Sequence, residues 1–204
     1  MIIDPLQSDG FYNIMSGVIV PRPIAFVSTM SKNGTVNLAP FSFFNVASSN
    51  PPTVFISMGR QTDTKPKDTL ANIEETGEFV VNVVIENIAA EMNNTAAEYP
   101  EDVNEFDIVG LTQTPSQIIS PPRVLESPVN LECRLKQVIP IGNPGSESGL
   151  VLGEVVLAHI HEDIIDGDKI DQDKLKAVGR LAGGMYSYTR DKFELIRPSY
   201  NPLG

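Results

Sequence analysis

Cysteine is almost absent. Cys133 is the sole one in 204 residues, so no intramolecular disulfide can close and paired-cysteine redox or zinc motifs are excluded. Histidine is scarce too: His159 and His161 are the only two, too few beside one cysteine for the three or more ligands a catalytic zinc or iron site commonly takes. No metal is expected. Positive charge is in deficit, with 15 Lys and Arg against 26 Asp and Glu and a formal charge of −11. That balance opposes nucleic acid and anionic membranes as partners, because both are held by clustered cations. No apolar run approaches the roughly 18 residues of a membrane span, and none leads the chain as a signal segment. A reducing cytoplasm is the expected address. Also missing are a Gly-x-Ser-x-Gly elbow, a Gly-x-Gly-x-x-Gly fingerprint after a strand, and a phosphate loop ending in Gly-Lys-Ser or Gly-Lys-Thr. A pyridine nucleotide, if used, is not held by a Rossmann domain.

What is present suits one domain over residues 1–204, since a chain of this length buries roughly 70% of its unfolded surface without a staple. Residues 1–17 read as an N-terminal arm, with turns at Asp4-Pro5 and Asp9-Gly10 and with Phe11, Tyr12 and Ile14 as anchors. Gly17 to Val20 reads as a short strand stopped by Pro21. Arg22, held extended between two prolines, faces a ligand, a subunit boundary or plain solvent.

The richest stretch runs from Arg22 to Met58. Ile24 to Val27 is an apolar strand run, Asn33-Gly34 is a hairpin turn, and Val36 and Leu38 return toward Phe41-Ser42-Phe43-Phe44-Asn45. Phenylalanines interleaved with Ser42, Asn45 and Ser48 fit either a sheet corner or an apolar slot with polar edges for a flat ring. Asn50-Pro51-Pro52 forces a turn before the buried-strand run Thr53 to Ser57. Arg60, Lys65 and Lys67 then cluster with hydroxyl residues before a helix expected to start at an Asp68 N-cap, bury Leu70 and Ile73, and end before Gly77. A helix N-terminus beside such cations favours an anion, although a solvated loop of charges has the same composition.

Phe79 to Ile85 reads as a strand interrupted by Asn82, and Ile88, Ala89, Met92 and Ala96 repeat at helical spacing. Residues 98–128 form a long excursion with enough hydrophobes to stay packed, the kind of loop that is usually functional or interfacial. From Asn130 to Val138, Leu131, Cys133 and Leu135 alternate with Glu132, Arg134 and Lys136, as in a strand with one solvated face. Cys133 is thereby a core residue rather than a nucleophile. His159 and His161, two apart on the next strand, share a face as a structural pair or with His161 at a ligand. Asp166 to Asp173 lacks the glycine and glutamate of a calcium loop and reads as a turn leading into a helix over 171–176.

The strings RPIAFVST (22–29), NGTVNLAPFSFFN (33–45), NPPTVFIS (50–57) and, more weakly, GRLAGGMYS (179–187) resemble the flavin reductase-like family of FMN-binding split barrels. The likeness is to its nitrilotriacetate monooxygenase component B-like branch. It implies a mainly β protein, an antiparallel Greek-key split β-barrel with a few peripheral α-helices. It also implies a homodimer holding FMN at the subunit boundary, hydride transfer from NAD(P)H, and reduced flavin passed to a partner monooxygenase. A flavoredoxin-like electron carrier is the alternative within the same superfamily. By resemblance the flavin lies along Asn37, Ala39, Pro40, Ser42, Phe43 and Asn45, with Ser57 and Met58 adjoining. Arg60, Lys65, Lys67 and Thr69 take its phosphate, with Thr29 beside them. Arg180 and Tyr186 lie against the cofactor, and His161 touches nicotinamide or flavin.

Overall fold

The computed structural model describes residues 1–59, 66–143 and 147–200. Helix α1 (Phe11–Val18) is followed by strands β1 (Ala25–Met30), β2 (Val36–Phe41), β3 (Phe44–Ser49) and β4 (Pro52–Met58). Helix α2 (Asp68–Thr76) precedes β5 (Glu78–Val83), then come α3 (Ala89–Asn94) and α4 (Glu105–Val109). Short strands β6 (Gln113–Thr114) and β7 (Arg123–Val124) lead into the long hairpin of β8 (Val129–Ile141) and β9 (Ser148–Ile160). A ribbon of β10 (Ile165–Asp166) and β11 (Lys169–Ile170), helix α5 (Gln172–Leu175), and the pair β12 (Val178–Arg180) and β13 (Tyr186–Tyr188) complete the order.

Seven strands make one antiparallel sheet in the order β2-β1-β5-β8-β9-β4-β3. Its two edge strands are consecutive in the chain, with only Ser42 and Phe43 between them. In a flat sheet those edges would stand roughly 29 Å apart at about 4.8 Å per strand. Three peptide steps reach about 11 Å. The sheet therefore curls until its edges approach, and the Ser57 N–H donates to the Phe43 carbonyl at 2.8 Å, carrying the β3–β4 ladder one rung back toward the joint. Among the described residues no ladder pairs β2 with β3, so the barrel is split, as expected from the sequence.

Apolar packing covers both faces of the central strands. Ala25, Val27, Ile56, Phe79, Val81, Cys133 and Val151 fill the interior, with Leu70 and Ile73 of α2 packed among them. Phe26 and Leu38 point the other way, against Met92, Phe106 and Val124. This two-sided burial is why Ile24 to Val27 is continuously apolar instead of alternating. Cys133 is fully buried, which pushes its thiol pKa well up, the Glu132 charge adding to the effect. Asn82 interrupts the apolar β5 because it stitches strands together. Its Nδ2 donates to the Phe26 carbonyl at 2.9 Å, and its Oδ1 accepts from Val124 N–H at 2.9 Å and Asn130 Nδ2 at 2.8 Å.

Several expectations are corrected. Gly17 and Val18 belong to α1, not to a strand; Phe11, Ile14, Met15 and Val18 recur at helical spacing, a period masked by the β-branched run through Val20. Lys67, not Asp68, occupies the α2 cap, and Asp68 opens the first turn, where its charge suits the helix dipole. Gly77 ends the helix at φ 74° as expected. The 98–128 excursion is not wholly irregular, since it carries α4 and the β6–β7 pair. Glu132 does not face solvent. It is fully buried because the 117–118 backbone folds over that face, giving N–H groups at 2.7 and 2.9 Å, with His159 Nε2 at 2.6 Å. Burial alone would raise its pKa, but the Gln117 and Ile118 N–H groups and His159 outweigh it and leave a value below the ordinary 4.5. His161 lies one residue past β9 and caps the turn of Glu162–Ile164, so the two histidines do not share a strand.

Gly153 on β9 supports the interior ring. A Cβ there would stand 2.3 Å from Phe79 Cζ. Gly153→Ala is expected to cost about 1–3 kcal/mol and lower the thermal unfolding midpoint by roughly 2–12 °C. An unchanged midpoint would show that the Phe79 ring relocates freely.

Candidate functional site

A cleft of about 300 Å³ opens at the joint between the barrel edges. Pro40, Phe41 and Ser42 form one wall, Tyr12 and Ser16 of α1 a second, Met92 and Ala96 a third, and Arg180, Gly183 and Tyr186 close the end. Arg22 is the post around which these elements meet. Its buried guanidinium donates to the carbonyls of Ser16, of Ile19 at 2.9 Å and of Leu181 at 3.1 Å, and to Ser42 Oγ at 3.4 Å. Arg22 is not a plain surface arginine: it is buried, lines the cleft, and its donors join α1, the β2–β3 joint and the β12–β13 turn. Because Ser42 Oγ accepts from Arg22, its own O–H is left to donate into the cleft.

Pro40 and Ala96 are shared with a smaller hollow of about 90 Å³, lined also by Asn37, Ala39, Lys67, Asp68, Thr69 and Glu105. The two adjoin at these residues as a trough running from the Arg180–Tyr186 end to the start of α2. There the first-turn N–H groups lack an intrahelical partner, and Lys67 adds a full charge at the cap. Lys67 Nζ lies 5.8 Å from the Phe41 ring centroid, so the cation leans over the trough wall.

Glu105 is the site residue that sequence reasoning missed. Buried at 6% exposure, it accepts from Asn37 Nδ2 at 2.8 Å and from Leu38 N–H at 2.9 Å. Asn37 Oδ1 is thereby turned to accept from Thr69 Oγ1 at 2.7 Å. A chain of side chains thus ties α4 through β2 to the first turn of α2 and fixes the floor of the hollow. Burial dominates the Glu105 carboxyl and raises its pKa above the ordinary 4.5, against the Leu38 and Asn37 hydrogen bonds and with the Asp68 charge.

Of the residues expected at a cofactor, Asn37, Ala39, Pro40, Ser42, Lys67, Thr69, Arg180 and Tyr186 line the trough. Arg180 stacks 4.4 Å from the Tyr186 ring centroid, and the Tyr186 hydroxyl donates to Asn93 Oδ1 at 2.9 Å. Phe43 flanks the entrance, 6.1 Å from the Tyr12 ring centroid. Others lie elsewhere. Thr29 is fully enclosed and accepts from Asn72 of α2, Met58 points into the barrel interior, and Ser57 is half-buried on β4. Asn45 is exposed on the edge strand β3, with its side chain accepting from the Val46 N–H, and His161 is exposed outside the trough. Arg60 and Lys65 fall outside the described residues. Among the described residues no group of three or more His, Cys, Asp or Glu gathers as a metal site.

A raised pKa means that the folded chain keeps the Glu105 proton more readily than the unfolded chain does. The stability contributed by this titration is therefore complete below pH 4.5 and is lost as pH rises through the raised folded value. Chemical denaturation of wild type and Glu105→Gln across pH 4 to 8 checks this. The wild type's advantage over the variant is expected to shrink as pH rises from about 4.5; an advantage that grows would contradict the assignment.

An uncharacterized protein of Halalkalibacterium halodurans is 42% identical over 198 residues, covering 96% of this chain and 95% of its own. Nitrilotriacetate monooxygenase component B from Bacillus cereus superposes with a TM-score of 0.92 at 37% identity, covering 96% of this chain and 98% of its own. Pseudomonas fluorescens 2-nitrobenzoate 2-nitroreductase NbaA superposes with a TM-score of 0.88 at 32% identity, covering 99% of this chain and 98% of its own. Residues 15–189, which include the barrel, most of the trough lining and the Arg180–Tyr186 turn, match the flavin reductase like domain. The chain belongs to the flavin reductase-like family.

Proposed function

We propose that the protein is an NAD(P)H-dependent flavin reductase that binds FMN in the trough, acting in the cytoplasm as a homodimer and delivering reduced flavin to a monooxygenase. One observation carries this reading: a cleft walled by both apolar and polar side chains adjoins, at Pro40 and Ala96, a hollow that ends on a helix N-terminus bearing a lysine. FMN has that layout, a flat ring at one end and a dianion at the other. Pro40, Phe41 and Met92 offer apolar walls for a ring, and Ser42 offers a donor to its polar edge. The α2 N–H groups and Lys67 offer the anion site.

Bound there, FMN would supply the hydride-accepting chemistry, with NAD(P)H as donor. The protein's own part is orientation. Arg22 holds Ser42 and the β12–β13 turn in fixed relation, the Glu105–Asn37–Thr69 chain fixes the anion end, and Tyr12 with Phe43 shields the entrance from water. No general acid or base is needed for a hydride transfer of this kind. A nicotinamide contact by His161 would have to be made across a subunit boundary, because this side chain is outside its own chain's trough. The second reading, a flavoredoxin-like carrier, shares the same trough and differs only in leaving NAD(P)H unoxidised.

Lys67→Ala is expected to raise the Kd for FMN roughly 10- to 100-fold, the loss of one charge-assisted contact. Quenching of FMN fluorescence on titration measures it, and an unchanged Kd would remove the phosphate assignment. With FMN in excess, the wild-type protein is expected to consume NADH or NADPH over many turnovers, followed by nicotinamide absorbance. A constant absorbance would favour the carrier.

A further inference from the structure

Beyond Thr189 the chain runs as an extended arm, Arg190 to Tyr200, in which every residue is exposed. Its root is fixed by ion pairs of Arg190 with Glu86 and of Lys192 with Asp173 at 2.7 Å. Past Lys192, Phe193, Leu195, Ile196 and Tyr200 are 85%, 80%, 90% and 91% exposed. Large apolar side chains in series on an anchored strand of backbone need a surface to cover them.

The body of the same chain carries a matching surface. Helix α1 turns Ile14, Met15 and Val18 outward, with Ile19 and Val20 following, so its apolar stripe is without cover. Next to it an apolar groove of about 280 Å³ is lined by Pro21, Pro23, Ile24, Phe44, Val83 and Val178. Thr189, where the arm departs, lies on the rim of this groove. Donor and acceptor surfaces on one chain are what an isologous two-fold contact requires, because each copy then covers the other's patch.

We infer that the arm is exchanged between two copies of this chain, residues 193–200 of each lying on the α1 face and Pro21–Ile24 groove of the other. The available area suffices. Phe193 and Tyr200 alone offer about 300–500 Å² per arm; with Leu195, Ile196 and the receiving surfaces added, two arms reach the roughly 1,200–2,000 Å² of a stable interface. The inference rests on the homodimer proposed above and adds what holds it together.

Sedimentation equilibrium of the full chain and of a Phe193→Asp, Ile196→Asp variant tests it. The wild type is expected at twice its chain mass of 22.2 kDa, and the variant at that chain mass with its circular dichroism and unfolding midpoint retained. The dimer Kd should rise at least about 100-fold. A variant that dimerises as tightly as wild type overturns arm exchange and leaves the homodimer standing, whereas a monomeric wild type overturns both. Should the variant fail to fold, trypsin cleavage of the wild-type Lys192–Phe193 bond decides. Cleavage that slows as protein concentration rises supports exchange; a rate independent of concentration, fast or slow, overturns it.

Discussion

Everything about this molecule follows from the shortness of one connection. Strands β2 and β3 stand at opposite ends of the sheet order yet are separated by Ser42 and Phe43 alone. A seven-stranded sheet can meet that condition only by closing on itself. Because no ladder seals the seam among the described residues, closure leaves a cleft there, bounded by the residues that make the joint. Fold and site thus have a common cause: the connection that forces the barrel to curl also sets Pro40, Phe41 and Ser42 against helix α1 and the β12–β13 turn.

Two buried charged groups then give the cleft its shape. Arg22 satisfies its donors almost wholly with backbone carbonyls from separate parts of the chain, so losing it would leave those acceptors unpaired where water is scarce. Glu105 does the same from the acceptor side, taking Asn37 and the Leu38 N–H and, through Asn37, positioning Thr69. An arginine at one end and a carboxylate at the other, each part of the lining, hold the trough in shape. For a protein whose redox chemistry would belong to a bound ring, that rigidity is the main catalytic contribution the polypeptide can make.

Local chemistry made much of this legible. Asn33-Gly34 marked the first hairpin, Gly77 marked the end of α2, and the unbroken run Ile24 to Val27 marked a strand covered on both sides. The missed elements depend on partners remote in the chain. Glu132 alternates with core residues and so looks solvent-facing, but a loop 14 or 15 residues earlier folds over it and supplies the N–H groups that make its burial tolerable. Glu105 follows an Asn cap like any acidic first-turn residue, and nothing in its neighbourhood indicates that it meets Asn37 across 68 positions. Helix α1 was obscured because its apolar face is turned outward and its end runs into a β-branched stretch. Pro40, Ser42, Arg180 and Tyr186, all on the motif strings, line one cleft, while Thr29, on the first string, and Met58, just past the third, point into packed interior.

The central claim is that a single trough, from the Arg180–Tyr186 turn to the first turn of α2, receives one flavin with its ring at the barrel joint. A crystal structure of the protein soaked with FMN tests this most directly. The account predicts the ring between Pro40–Ser42 and Met92 and the phosphate at the α2 N-terminus beside Lys67. A trough left empty at saturating FMN, or a flavin bound with its phosphate at the opposite end, would contradict it.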